Sequence, residues 1–244
     1  MSKNKVTLAD IKANAEIKAF IDTANHNLEV MGYTEHGIRH VSFVSRATSE
    51  ILSELGYDDR TVELGAIAGW IHDIGNAVNR RSHGISGAVM SHEILSDMGM
   101  DPVELGTVIA AIGNHEEEIG KPVNAVCAAL IIADKSDAHR SRVRRDKYNL
   151  NDIHDRVNLS IKKNFITVDK DTNTISLFIY MNEISSPFEY MQIYMSRIVL
   201  CENAASALGC SFELVINGTA VNRRQDLATS EAMITAALRG KKVE

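Results

Sequence analysis

The segment at residues 123–133 constrains the fold more than any other, because it is apolar on almost every side of a helix. It reads VNAVCAALIIA and follows Pro122. A helix of this composition must be surrounded by other elements. Amphipathic patterns with helical spacing supply such neighbours, and they lie at about residues 1–30, 39–55, 59–71, 86–98 and 102–115. The sequence therefore predicts a mainly helical bundle over residues 1–160.

The pattern changes after about residue 160, where runs of β-branched residues appear. Residues 165–168 and 174–181 predict two strands joined by the polar turn DKDTN, and residues 210–217 predict a third strand. Between them, an apolar stripe at near-heptad spacing predicts a long helix that ends at Gly209. We therefore expect a helical domain at residues 1–160 and a small α+β unit, β-β-α-β, at residues 161–244. This unit could cover an active site, bind a regulator or form a homodimer, since the stripe also fits packing on its own sheet.

Composition narrows the classes of partner and compartment. The chain has 32 acidic against 26 basic residues and a net charge of −6, which argues against a nucleic-acid polymer as partner. Its three cysteines lack the paired spacing of a zinc knuckle and predict reduced thiols. We find no secretory signal and no apolar stretch of about 18 residues. We therefore expect a cytoplasmic protein that does not enter the membrane.

Two aspartates occupy positions where a carboxylate is costly. Asp134 directly follows Ala-Leu-Ile-Ile-Ala, and Asp73 follows the apolar segment Gly-Trp-Ile and one histidine. A buried carboxylate costs several kcal/mol unless it is paired or binds a cation. Histidines recur at the ends of the predicted helices, at His40, His72, His83 and His115. A divalent metal shared by these imidazoles and carboxylates would explain both aspartates.

The order of these residues resembles the HD superfamily of metal-dependent phosphohydrolases. The resemblance covers about residues 36–145. It depends on His40 in HGIRHVSFV, on His72 and Asp73 in AIAGWIHDIGN, and on Asp134 in LIIADKSDAHR. It implies an all-helical bundle in which these four residues converge from separate helices on one metal.

The same resemblance implies a second metal, because His83 and His115 match the two extra histidines of two-metal members. Asp73 would then bridge the two ions. In members with one metal, such histidines can contact the substrate instead, and this alternative stays open. Imidazole and carboxylate ligands accept Fe, Mn, Co, Ni, Zn or Mg, so the residue types do not identify the divalent metal.

The activity that the resemblance implies is hydrolysis of a phosphate ester or anhydride by a metal-activated hydroxide, with Asp73 as a catalytic ligand. The order and spacing of the ligands look most similar to small bacterial two-metal HD hydrolases. The expected substrate is therefore a nucleotide or another small phosphorylated metabolite. Two alternatives share these ligands: a di-iron oxygenase of the HD fold, and a non-catalytic metal-containing sensor or binding domain.

Cations near the predicted ligands are candidates for binding the substrate phosphate. Lys135 directly follows Asp134, and Arg140 lies about one and a half turns further on if the helix continues. We predict both as catalytic phosphate contacts. Arg81, in the loop after Asp73, is a further candidate. For the other arginines of this basic run, the prediction is a solvated helix face: Arg142, Arg144 and Arg145.

Three further positions have two interpretations each. Asp137 is either a hydrogen-bond partner of a ligand histidine or an ion-pair partner of Arg140 or Arg144. His36 either lines the pocket or has a loop or capping role. The acidic run after His115 predicts an exposed turn, the alternative being a general acid or a partner of a ligand: Glu116, Glu117 and Glu118.

Overall fold

The computed structural model of the chain describes residues 5–144 and 148–222. Its helices are α1 (Leu8–Ala13), α2 (Ala15–Val30), α3 (Ile38–Glu54), α4 (Asp59–Ile71), α5 (His83–Asp97), α6 (Pro102–Gly113), α7 (Ala125–Ser136), α8 (Ile153–Ser160) and α9 (Pro187–Ala207). The predicted fold class, a helical bundle with a small C-terminal α+β unit, is confirmed. Within the described ranges, no helix is both long enough and apolar enough to cross a bilayer.

Helix α7 forms the centre of the bundle, as its composition predicts. Residues 126–133 are at most 1% exposed, and α3, α4, α6 and α9 all pack against this helix. It begins at Ala125 rather than at Pro122, because the side chain of Asn124 accepts a hydrogen bond from the backbone nitrogen of Cys127 and caps the first turn. It ends at Ser136.

Three features of the helices differ from the prediction, and each is associated with a particular residue at the helix end. The helix expected over residues 1–30 is divided at Asn14, whose side chain accepts hydrogen bonds from the first turn of α2. Helix α5 begins at His83 rather than at about residue 86, directly after Ser82 in a left-handed conformation with φ 58°. Helix α8 is not predicted from the sequence, and Asp152 caps its start.

The C-terminal unit contains the strands β1 (Ile161–Asp169), β2 (Thr174–Met181), β3 (Ser211–Ile216) and β4 (Thr219–Ala220), in that order across one sheet. Strands β1 and β2 form an antiparallel hairpin. Strands β2 and β3 are parallel because α9 connects them as a crossover, and the short β4 returns antiparallel to β3. Helix α9 packs against β3 and also against α7.

One hydrophobic cluster extends through both parts of the chain. Ile175 of β2 and Tyr190 of α9 belong to the same cluster of buried side chains as Leu95 of α5 and Ile131 of α7. The change from helices to strands near residue 160 is therefore a change of topology within one continuous core.

The close approach of α3 to α4 depends on Gly69. A Cβ atom at this position would lie 2.7 Å from Ser45 Cα and 2.8 Å from its backbone nitrogen. We expect Gly69→Ala to separate the two helices and to lower the free energy of unfolding by about 1–3 kcal/mol, measured by urea denaturation.

Gly106 of α6 provides the matched control. A Cβ atom there would meet no described atom within 4 Å, so Gly106→Ala should raise the free energy of unfolding by about 0.5–1 kcal/mol. If Gly69→Ala were as stable as Gly106→Ala, the two helices would not be in the tight contact described.

Candidate metal centre

The six residues predicted as metal ligands meet at one place. They are His40 in the first turn of α3, His72 and Asp73 directly after α4, His83 at the start of α5, His115 after α6 and Asp134 in α7. Asp134 Oδ1 lies 3.3 Å from His40 Nε2 and 3.7 Å from His72 Nε2. Two triads bring their donor atoms within 4.8 Å of one another inside each triad. The first is His40, His72 and Asp134, and the second is His72, Asp73 and His115.

The carboxylate of Asp73 lies between two pairs of histidines. Its Oδ2 is 3.6 Å from Nε2 of both His40 and His72. Its Oδ1 is 3.2 Å from Nε2 of His83 and 3.9 Å from Nε2 of His115. Ligand atoms that bind one ion at about 2.1 Å are themselves about 3–3.5 Å apart, so these separations are close to those of a coordination shell.

Nitrogen Nδ1 of each imidazole hydrogen-bonds to an oxygen away from the other ligands. The acceptors are the carbonyls of Gly69 for His72 (2.9 Å), Arg80 for His83 (3.0 Å) and Ile112 for His115 (2.6 Å), and the carboxylate of Asp137 for His40 (2.7 Å). A carbonyl oxygen can only accept, so Nδ1 carries the proton. The other nitrogen, Nε2, then presents its lone pair to the cluster, as a metal-binding histidine does.

The buried donor atoms of the cluster lack partners. His40 Nε2, His72 Nε2 and Asp73 Oδ2 have no hydrogen-bond partner within the described part of the chain. In addition, Nε2 of His83 and Nε2 of His115 face each other at 3.1 Å, although both rings already donate through Nδ1. Unpartnered buried polar atoms are costly, and facing lone pairs repel unless a cation lies between them. The residues present therefore fit a bound metal.

The charges around the cluster favour the ionised carboxylates that a metal needs. Burial alone would raise the pKa of Asp73, but the interactions with the neighbouring histidines, chiefly His72 and His83, together outweigh it and hold the pKa well below its usual value. For Asp134, burial is outweighed by the ammonium of Lys135 together with the interactions with His40 and His72, so that its pKa is also well below the usual range. Both carboxylates are ready to bind a cation at neutral pH.

A narrow cavity of about 20 Å³ opens onto this cluster. Asp73, His83 and Asp134 line it from the cluster. The other lining residues are four cations, Arg80, Lys135, Arg142 and Arg197, together with His36 and Glu117. Lys135 Nζ lies 2.6 Å from Asp134 Oδ2. A metal-binding cluster beside several cations is an arrangement that suits an anionic ligand.

Two of the predicted phosphate contacts do not line this cavity. The backbone leaves the helix at Asp137, so α7 does not continue as far as Arg140. The exposed Arg140 side chain instead donates to a backbone carbonyl of β1 at 3.3 Å. Arg81 is exposed as well, and the adjacent Arg80 lines the cavity in its place. Lys135 is the predicted contact that does line it.

The prediction of a solvated helix face after α7 is wrong. Arg142 is only 5% exposed and donates to the carbonyls of Glu35 and Asp137. Arg144 donates to the carbonyls of Tyr33 and Asn25. Arg145 lies outside the described residues. The side chains of Arg142 and Arg144 turn inward because the chain forms a short 3-10 turn here instead of continuing α7, and no sequence pattern predicts that turn.

The acidic run after α6 is not exposed as a whole. Glu116 is 8% exposed, accepts a hydrogen bond from the backbone of Gly84, and lies 3.0 Å from Nδ1 of His83. Glu117 lines the cavity, and Glu118 alone of the three is exposed. The position of the run directly after a predicted ligand was the signal that could have identified these contacts.

Contacts decide between the interpretations left open for Asp137 and His36. Asp137 is a hydrogen-bond partner of the predicted ligand His40 and also accepts a hydrogen bond from Arg39 at 2.6 Å. His36 lines the cavity, and its Nδ1 donates to the carbonyl of Thr34 at 2.7 Å. Both residues therefore belong to the surroundings of the cluster.

We expect Asp137→Asn to weaken metal binding about 10–100-fold, because His40 loses the carboxylate that orients its ring and strengthens its Nε2 as a ligand. The affinity is measured by titrating metal-free protein with Mn²⁺. Asp58→Asn is the matched control, since Asp58 caps α4 and Asn caps a helix equally well. Equal affinities of Asp137→Asn and wild type would contradict this role.

In comparisons with known proteins, no protein-family model and no curated protein matches the chain. Among solved structures, it is similar to the crystal structure of a predicted HD superfamily hydrolase from an uncultured Thermotogales bacterium. The two chains are 26% identical, the match covers 55% of this chain and 75% of that chain, and the TM-score is 0.42.

The arrangement of the cluster residues bears on the family resemblance. Its residues come from separate helices of one bundle and present unpartnered donor atoms to one another. Their convergence confirms the resemblance to the HD superfamily that the order of His40, His72, Asp73 and Asp134 in the sequence predicts.

Proposed function

We propose that the chain is a metal-dependent phosphohydrolase that cleaves a phosphate ester or anhydride of a nucleotide or another small phosphorylated metabolite. One observation carries this proposal: a buried His/Asp cluster with unpartnered donor atoms opens onto a cavity lined by four cations. The cluster suits divalent metals, and the cations suit the oxygens of a phosphoryl group. Hydrolysis of a phosphate compound uses both features.

The proposal includes two metal ions. The supporting geometry is the position of the Asp73 carboxylate, which directs one oxygen toward each pair of histidines. In this assignment Asp73 would hold both ions. His40, His72 and Asp134 would hold the first ion, and His83 and His115 would hold the second.

Divalent metals at this position would supply an acidified water as the nucleophile and would neutralise charge on the phosphoryl oxygens. The chain's own residues hold and orient the substrate. Lys135 is the main candidate, because its ammonium lies beside the cluster on Asp134 and can bind a phosphoryl oxygen there. Arg80 and Arg142 line the cavity and would take the roles expected for Arg81 and Arg140.

We expect Asp73→Ala to abolish hydrolysis across a panel of nucleotides and phosphate monoesters, and to remove at least one metal per chain. Metal content is measured by elemental analysis of protein purified anaerobically without chelators. The helical circular dichroism should largely survive, because the fold has its own apolar core. Asp97→Ala is the control, since Asp97 is exposed at the end of α5 and should retain metal and activity.

Full activity of Asp73→Ala would overturn the proposed mechanism. If iron were the main metal and the protein consumed oxygen without releasing phosphate, the proposed hydrolase would be rejected in favour of a di-iron oxygenase. Bound metal without turnover of any substrate would leave a sensor or binding domain.

We expect Lys135→Ala to raise KM or to lower kcat by about ten- to a hundredfold, because a charged hydrogen bond to the phosphoryl group is lost. The metal content should not change. Lys162→Ala serves as the control, since Lys162 is exposed on β1. Loss of metal from Lys135→Ala would mean that the lysine supports the ligand Asp134 and does not bind the substrate.

A further inference from the structure

The C-terminal unit contributes a side chain to the metal-binding cavity. Arg197 of α9 lines this cavity together with Asp73, Asp134 and Lys135. It reaches the cavity because α9 packs against α7, the helix that carries Asp134. Arg197 lies outside residues 36–145, the segment that carries the family resemblance, so the family's ligand pattern does not account for it.

The guanidinium of Arg197 is held in a defined position from two sides. Its Nε donates to Glu117 Oε1 at 2.7 Å, and its central carbon lies 4.4 Å from the centre of the Tyr194 ring. The other oxygen of Glu117 accepts a hydrogen bond from Ser196 at 2.8 Å, and the Tyr194 hydroxyl accepts one from Asn158 at 2.9 Å. These contacts order the side chain before any ligand binds.

The end of the Arg197 side chain stays available. Only Nε is used by Glu117, and the two terminal nitrogens make no hydrogen bond with any residue in the described ranges. The side chain is 25% exposed. A guanidinium of this kind presents two parallel N–H donors, which match two oxygens of a phosphate group.

The size of the cavity limits what can enter it. At about 20 Å³ it has room for little more than one water molecule, since about 10–15 Å³ of such space holds one. A nucleoside does not fit there, so recognition inside the cavity concerns the phosphate end of a ligand.

We propose that Arg197 binds a phosphate group of the substrate, so that the C-terminal unit completes the active site. This inference depends on the phosphohydrolase function proposed above. Glu117 holds the guanidinium in place without ligand, and Tyr194 keeps its plane fixed. On binding, the terminal nitrogens of Arg197 take up phosphate oxygens while Nε keeps its contact with Glu117.

Three substitutions separate substrate binding from a structural ion pair. Arg197→Gln removes the proposed contact with phosphate. Glu117→Gln removes only the negative charge of the ion-pair partner of Arg197. Arg156→Gln is the matched control, because Arg156 pairs with Glu189 of α9 at 2.6 Å and the two ion pairs are about equally exposed, 27% and 25% against 25% and 26%. The Arg156 pair does not line the cavity.

The readouts are the affinity of Mn²⁺-loaded protein for inorganic phosphate, measured by calorimetry, and KM for a hydrolysed substrate. We expect Arg197→Gln to weaken the affinity for phosphate and to raise KM, each by about ten- to a hundredfold, without a change in metal content. Arg156→Gln should bind phosphate within about twofold of wild type, since such exposed pairs contribute little. Glu117→Gln should bind phosphate at least as tightly as wild type, because the amide oxygen of Gln can still accept the hydrogen bond from Arg197 Nε and Arg197 keeps its full charge.

The inference is overturned if Arg197→Gln binds phosphate like wild type, or if Glu117→Gln weakens binding as much as Arg197→Gln does. The second result would show that the ion pair matters only for the fold. A wild-type protein that neither binds phosphate nor hydrolyses any phosphate compound overturns the proposed function itself. An active wild type with an unaffected Arg197→Gln variant overturns only the role of Arg197.

Discussion

The burial of two carboxylates, Asp73 and Asp134, is the constraint on which the arrangement of the helices depends. Each follows an apolar helical segment, where an unpartnered charge is costly. Several helices of the bundle begin or end beside these two carboxylates, so that His72, His83 and His115 all lie at helix ends. Helix α3 adds His40 from its first turn. A metal bound by these groups would remove the remaining cost, because it gives every unpartnered donor atom a partner.

Helix ends also orient the imidazoles. The last carbonyls of a helix have no partner within the helix, and those of Gly69 in α4 and Ile112 in α6 accept hydrogen bonds from His72 and His115. Gly69 has two roles as a consequence. Its carbonyl orients a ligand, and its missing side chain allows α4 to approach α3 closely enough to bring His40 to the same place.

Packing joins the C-terminal unit to the site. The buried face of α9 lies against α7, and the same helix presents Arg197 to the cavity. Of the near-heptad stripe of α9, Ile198 and Ala205 are buried inside the molecule, whereas Phe188 and Met195 are exposed. The cations that line the cavity beside the His/Asp cluster therefore come from both parts of the chain.

The sequence by itself predicted which histidines and aspartates would form one cluster, and the order of the main elements. Carboxylates and histidines in or beside apolar segments stand out in the sequence, because burying such groups is costly unless a partner or a cation compensates them. Only the tertiary structure decided which cations line the cavity beside this cluster. Arg140 is displaced because α7 ends at Ser136, and Arg80 replaces Arg81 in the loop before α5. Arg197 joins the site through the packing of α9 on α7. These placements depend on where helices stop and which helices touch, and residue spacing carries neither piece of information.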